Sequence, residues 1–168
     1  MKKIFIGIDN GVTGTVGILG HKEPVFFTMP VIKQQSYTKT KQNISRIVSP
    51  VLQVAFESTT VLYAPDECIA LIERPMINPA RFKASISAAR ALEATLIALE
   101  ACELPHQYID SKEWQKDLLP SGLKGPAELK KASMDIGIRL FPFYKDSIQR
   151  HKDADGLLIA EYARRKFS

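Results

Sequence analysis

Ile4-Phe5-Ile6-Gly7-Ile8-Asp9 is a short apolar run, rich in β-branched residues, that ends in a carboxylate; Asn10-Gly11-Val12-Thr13-Gly14 follows it at once. The apolar run predicts a strand. Asn-Gly is a strong signal for a tight turn, because both residues accept a positive φ. Thr15 to Leu19 then reads as the returning strand and Val25 to Met29 as a third, so the chain opens as an antiparallel meander. Asp9 stands where the first strand gives way to the turn. An ionised carboxylate at the end of an apolar strand is costly unless something pairs with it, which makes Asp9 the first candidate functional residue.

Beyond the meander, Ile32 to Gln42 is polar and predicts a loop, whose Lys33, Lys39 and Lys41 are either plain solvated charges or phosphate contacts. Ile44 to Tyr63 predicts a helix, with Ile44, Ile47, Val48, Val51, Leu52, Ala55 and Phe56 on one face. Cys68 to Ile72 is continuously apolar, as in a central strand covered on both faces, and runs into Glu73 before Arg74-Pro75 stops it. Pro79 to Ala101 predicts a long helix. Its Ala84, Ala88, Ala91 and Ala98 recur at helical spacing, either as an ordinary core face or for close packing across a dimer. His106 to Ile109 reads as a strand, and Ser111 as the N-cap of a helix with Trp114 in its first turn. Pro120 to Pro126 reads as a loop. Ala127 to Leu140 is a helix ended by Phe141-Pro142, and a last helix opens at Asp153 or Ala154 and runs to about Lys166. The expected class is α/β: one domain over 1–168 with a mixed five-stranded sheet, three antiparallel strands then parallel ones, flanked by helices.

A chain of 168 residues, 45% hydrophobic and 24% charged, is ordinary for a globular domain and argues against disorder. No apolar run approaches the roughly 20 residues that a membrane span needs. Met1-Lys2-Lys3 leads into an apolar run that Asp9 interrupts, so no signal peptide is expected. Cys68 and Cys102 have no zinc-type spacing and read as reduced thiols of a cytoplasmic protein. The formal net charge of +5 and pI of about 9.2 suit a polyanionic partner, of which nucleic acid is the commonest.

Three acids stand out by position: Asp9 at the end of the first strand, Glu73 at the end of the central strand, and Asp155 in the first turn of the last helix. Each also has a structural reading. Asp9 suits a turn, Glu73 suits an ion pair with Arg74, and Asp155 suits a helix N-terminus. In an open sheet, however, functional groups gather at strand ends. If the three converge, their repulsion must be offset by protonation or a cation. Oxygen-only ligands favour Mg2+ or Mn2+, which retain room for phosphate oxygens. A pair of such ions about 4 Å apart serves phosphodiester hydrolysis.

At these positions the sequence resembles the RuvC-type Holliday junction resolvases of the ribonuclease-H-like superfamily. Ile4 to Gly14 resembles their first strand and hairpin, Ile72-Glu73-Arg74-Pro75 their second acidic motif, and Ala154-Asp155-Gly156-Leu157-Leu158-Ile159-Ala160-Glu161-Tyr162 their terminal helix. Ser111-Lys112-Glu113-Trp114-Gln115-Lys116 resembles the segment after their fourth strand, especially in phage-encoded members. The matches span nearly the whole chain in order. The resemblance implies a crossover junction endodeoxyribonuclease acting in recombination, repair or phage genome processing. It implies Asp9, Glu73 and Asp155 as catalytic metal ligands, with Mg2+ (Mn2+ able to substitute), two ions per site, Asp9 shared between them, and a water attacking in line to leave a 5′-phosphate.

The family usually places a fourth ligand, Asp or His, three or four residues before the last acid. Here the third residue before Asp155 is Lys152, a poor ligand; the fourth is His151, and Asp153 is two before. A four-residue offset shares a helical face with Asp155 and a two-residue offset does not, so His151 is preferred and Asp153 kept as the alternative. Candidate DNA contacts are Arg74, Arg81, Lys83, Arg90, Lys112, Lys116, Lys124, Lys130 and Lys131. Met76 lies where the family carries an apolar wedge, and is otherwise a core methionine. Symmetric cutting implies a homodimer, with the helix around Ser85 to Ala101 as the expected interface. The competing readings are an actin-like nucleotide binder, a non-catalytic branched-DNA binder, and a ribonuclease-H-like nuclease for other substrates.

Overall fold

The computed structural model describes residues 3–168; Met1 and Lys2, which open the segment examined for a signal peptide, lie outside the described residues. Among the described residues the main sheet has five strands: β1 (Ile4–Ile8), β2 (Thr15–Leu19), β3 (Val25–Thr28), β6 (Cys68–Glu73) and β7 (His106–Ile109). Their order is β3-β2-β1-β6-β7. β1 pairs antiparallel with β2, and β2 with β3, while β1–β6 and β6–β7 are parallel. This is the expected mixed sheet. The helices are α1 (Ser49–Thr60), α2 (Phe82–Ala101), α3 (Ser111–Leu118), α4 (Gly125–Leu140), α5 (Lys145–His151) and α6 (Asp155–Phe167). No helix among the described residues is long and apolar enough to cross a membrane.

The strand pleat sends alternate residues to two cores. Ile4, Ile6 and Ile8 of β1 pack with Cys68, Ala70 and Ile72 of β6 under α1 and α2. Phe5, Leu19, Leu71 and Ile109 pack on the other face with Trp114 and with Leu157, Leu158 and Ile159 of α6. Every residue of α6 from Gly156 to Ala163 is buried. A helix buried all round must bring its backbone close to its neighbours, and glycine makes this possible. A Cβ at Gly7 would run into Ala160 N and Gly156 O, one at Gly17 into the Leu157 backbone, and one at Gly156 would lie 2.6 Å from Thr15 O. At these three glycines the seam between α6 and strands β1 and β2 is therefore backbone against backbone. The buried Glu161 on α6 is neutralised by Arg164, through bonds of 2.8 and 2.9 Å, and by Arg165 at 2.8 Å.

The largest departure from expectation lies between β3 and α1. The segment read as a loop is a second, two-stranded sheet, β4 (Val31–Gln35) paired antiparallel with β5 (Asn43–Ile47). All five residues of β4 are exposed. With no buried face there is no apolar alternation to read. Ile44 and Ile47 belong to β5, not to the following helix, which begins only at Ser49 with Pro50 in its first turn. Val51, expected on the buried face, is 53% exposed. Two smaller corrections concern helix starts. Asp110, not Ser111, stands at the N-cap of α3, where its N donates to Glu113 Oε1 at 3.2 Å. α4 starts at Gly125, with Pro126 in its first turn.

Candidate active site

The parallel pairing of β1 with β6 aligns Ile8 with Ile72. Asp9 and Glu73, one residue further on, therefore leave the same edge of the sheet on neighbouring strands. Asp155 reaches that edge because it is the first residue of α6, and the glycine seam lays α6 across β1 and β2. Asp9, Asp153 and Asp155 each present a carboxylate oxygen, and these oxygens lie within 4.8 Å of one another. Glu73 stands outside that tight trio but close enough for its charge to act on both Asp9 and Asp155.

Burial and mutual repulsion dominate the electrostatics. Burial, then the charges of Asp153, Asp155 and Glu73, hold the Asp9 carboxyl well above its usual range. Asp155 is pushed up to about 7, by burial first and Asp153 second, against the lowering effects of the Ser133 hydroxyl and the Lys130 charge. Burial also raises Glu73, and a hydrogen bond from Trp114 opposes it. A group of carboxyls this crowded either binds protons or binds cations. The donors are all oxygen, so the set fits a hard divalent ion.

Several side chains fix these acids in place. Trp114 Nε1, fully buried, donates to Glu73 Oε2 at 2.7 Å. The Ser133 hydroxyl donates to Asp155 Oδ1. Thr15 Oγ1 donates to Asp153 Oδ1 at 3.1 Å and accepts from Gly156 N at 3.1 Å. The sequence reading missed Thr15 and Ser133 as site residues, and it noted Trp114 without its partner. The available signal was an aromatic donor and two hydroxyls on otherwise apolar faces.

His151 ends α5 and is exposed, outside the trio; Asp153 is buried within it. The offset argument for His151 assumed one helix through both positions. Instead Lys152 has a left-handed backbone, φ 53° and ψ 38°, which ends α5 and turns the chain. Asp153 then points inward and its Oδ1 accepts from Asp155 N at 2.7 Å. The geometry therefore brings together Asp9, Asp153 and Asp155, with Glu73 adjacent, and leaves His151 at the surface.

Of the basic candidates, Lys130 is near enough for its charge to act on Asp155. Arg74 does not pair with Glu73: its Nε is 3.2 Å from Asp110 Oδ1, and its guanidinium lies over the Tyr108 ring. Arg81 and Lys83 are exposed at the start of α2, Lys112 and Lys116 on α3, and Lys124 before α4. Arg90 is half-buried beside β5. Met76 is 80% exposed, so it is no core residue. On α2 the alanine stripe splits. Ala91 and Ala98 face this chain's own core and Ala84 is exposed, so the stripe as a whole is not free for a dimer contact.

By sequence, no family profile and no curated protein matches the chain. By structure, it resembles Thermus thermophilus RuvC solved in complex with a Holliday junction substrate, with a TM-score of 0.58 at 14% identity, over 97% of this chain and 96% of that one. A second T. thermophilus RuvC structure gives 0.49 at 16% identity, over 98% and 97% of the two chains. Fowlpox virus resolvase with Holliday junction DNA gives 0.42 at 13%, over 95% and 98%. From β1 to α6, the chain has the ribonuclease-H-like fold of RuvC.

Proposed function

We propose that this chain is a divalent-metal-dependent endonuclease that cuts branched DNA, four-way junctions above all, as a homodimer. The observation that carries this reading is the convergence of Asp9, Asp153 and Asp155 at one sheet edge, with Glu73 beside them. Four acids from three separate parts of the chain, three of them held by buried donors, form an arrangement with a large electrostatic cost. The solved RuvC neighbour holds a Holliday junction on the same fold, which supports branched DNA as the substrate class.

Asp9, Asp153 and Asp155, joined by Glu73, would hold Mg2+ or Mn2+. Such ions supply Lewis acidity to a water and neutralise charge on the scissile phosphate and leaving oxygen. The protein orients the acids: Trp114 fixes Glu73, Ser133 fixes Asp155, and Thr15 fixes Asp153. Met76, exposed on the segment leaving Glu73, is the candidate for an apolar wedge at a branch point. Arg81, Lys83, Lys112, Lys116 and Lys124 are candidates for the phosphates flanking it, and the exposed apolar residues Phe82, Ile86 and Ile97 of α2 for the dimer contact.

The test is cleavage of synthetic four-way, three-way, flap and linear duplex DNA with Mg2+. Four-way junctions should be cut fastest. Asp9→Asn and Glu73→Gln should abolish cleavage yet retain junction binding, since removing negative charge does not weaken attraction to phosphate. Wild-type cleavage by Asp9→Asn would reject the site. Junction binding without cleavage by the native chain would make it a non-catalytic binder.

A further inference from the structure

Apart from Ile47 at its base, the β4–β5 hairpin has no residue buried in the core, and it belongs to neither the main sheet nor the acid cluster. Its composition is one-sided. Residues 31–47 include Lys33, Lys39, Lys41 and Arg46 and no acid, while the rest of the chain holds 19 basic residues against 18 acidic ones. Nearly all of the +5 formal charge therefore sits on one projecting element.

Isolated two-stranded hairpins are at best marginally stable in water, yet this one is anchored at both ends. At its base Ile47 is buried in the core, and Val48 N donates to Pro30 O at 2.9 Å. At its tip the buried Ser36 N donates to Gln42 O at 2.8 Å. Thr38 Oγ1 bonds Ser36 Oγ at 3.1 Å and Thr40 O at 3.0 Å. This polar network presents Tyr37, an aromatic side chain that is 89% exposed.

Between hairpin and α2 lies a depression lined by Gln34, Gln35, Tyr37, Ile44, Arg46 and Arg90. It holds two guanidinium groups, two carboxamides and a phenol ring, with no carboxylate. Guanidinium forks match phosphate, and aromatic faces stack on bases. A second depression joins Arg46 and Arg90 to Val12 on the turn that follows Asp9, with Glu93 on its wall. The cationic surface thus runs from the hairpin tip to the loop of the acid cluster.

We propose that the β4–β5 hairpin is a DNA-holding arm. Lys33, Lys39, Lys41 and Arg46, continued by Arg90, take the phosphates of one duplex arm leaving the branch, and Tyr37 stacks on a base exposed there. The proposal rests on the branched-DNA reading above and adds a contact surface to it.

The experiment is junction binding by the full chain in Ca2+, across a salt series. Replacing Lys33, Lys39, Lys41 and Arg46 by Gln should lower the slope of log Kd against log salt by about 3 to 4, close to one per lost phosphate contact. The tip pair Lys39→Gln and Lys41→Gln should lower it by about 2, and Lys39→Arg with Lys41→Arg should restore it. Tyr37→Ser should weaken junction binding about tenfold with the salt slope unchanged. Folded variants that match the native chain in both Kd and slope, while that chain binds junctions, overturn the arm and leave the nuclease reading standing. A native chain with no affinity for branched DNA removes both. Variants that keep DNA binding but lose binding to phosphatidylserine vesicles would make the arm a membrane contact and overturn the proposal.

Discussion

Replacing Asp155 by Asn should stabilise the metal-free protein. In the fold this carboxyl titrates near 7, against 3.8 for its ordinary value. A raised folded-state value means that the native state binds the proton more tightly than the unfolded chain. Stability from this group is thus fully present below about pH 4 and is lost as the pH climbs through about 7. At pH 8 the difference corresponds to about 4 kcal/mol of destabilisation. Asn removes the charge and keeps an oxygen to accept from Ser133. In EDTA at pH 8, Asp155→Asn should therefore melt about 10 °C higher than the native chain, at the 2–4 °C per kcal/mol typical of this size. The gap should narrow steadily towards pH 4. Added Mg2+ should reverse the order, raising the native Tm and leaving the variant nearly unmoved. The assay is a thermal melt followed by circular dichroism over pH 4–8, with EDTA and with Mg2+. A native melting point that is flat across this range in EDTA, or a variant less stable at pH 8, would refute the reasoning.

Trp114→Phe keeps most of the buried ring but removes the donor to Glu73. It should lower cleavage about ten- to a hundredfold, the loss expected for one bond to a charged group. It should also move the acid limb of the pH–rate profile upward, because that bond holds Glu73 down; an unmoved profile would show that the contact is only structural. Gly7→Ala pushes a methyl into the backbone of α6, and its urea midpoint should fall by the equivalent of at least 1–3 kcal/mol. Burial raises the Glu161 carboxyl, but Arg164 and Arg165 outweigh this and hold it below its ordinary value of 4.5. Its contribution is therefore present above that pH and lost as the pH falls through the depressed value. Glu161→Gln should flatten the acid side of the stability curve, opposite in sign to Asp155→Asn, as acid unfolding would show.

The elements that were legible in the sequence are those with a face to bury. β1, β6 and α6 announce themselves because burial on both sides leaves continuous apolar runs, and Asp9 and Glu73 interrupt those runs where the strands end. The β4–β5 hairpin has water on most of its surface, so Lys33, Gln34 and Gln35 carry no pattern. Ile44 and Ile47, three apart, imitate a helical stripe. Pro50 was the better marker of where α1 begins. At the fourth acid the periodicity argument failed for a local reason: it counted turns through Lys152, whose left-handed backbone ends the count. The supporting donors Thr15 and Ser133 left only a weak signal, a hydroxyl inside an apolar element, which looks the same whether it bonds its own helix or a distant carboxylate.

The seam at Gly7, Gly17 and Gly156 makes the width of the acid pocket a property of the main chain. At these three points no side chain separates α6 from β1 and β2, so there is none whose change of rotamer would let the start of the helix, and Asp155 with it, move away from Asp9. Any change in the spacing of these oxygens would have to come from the side chains that carry them rather than from the helix beneath.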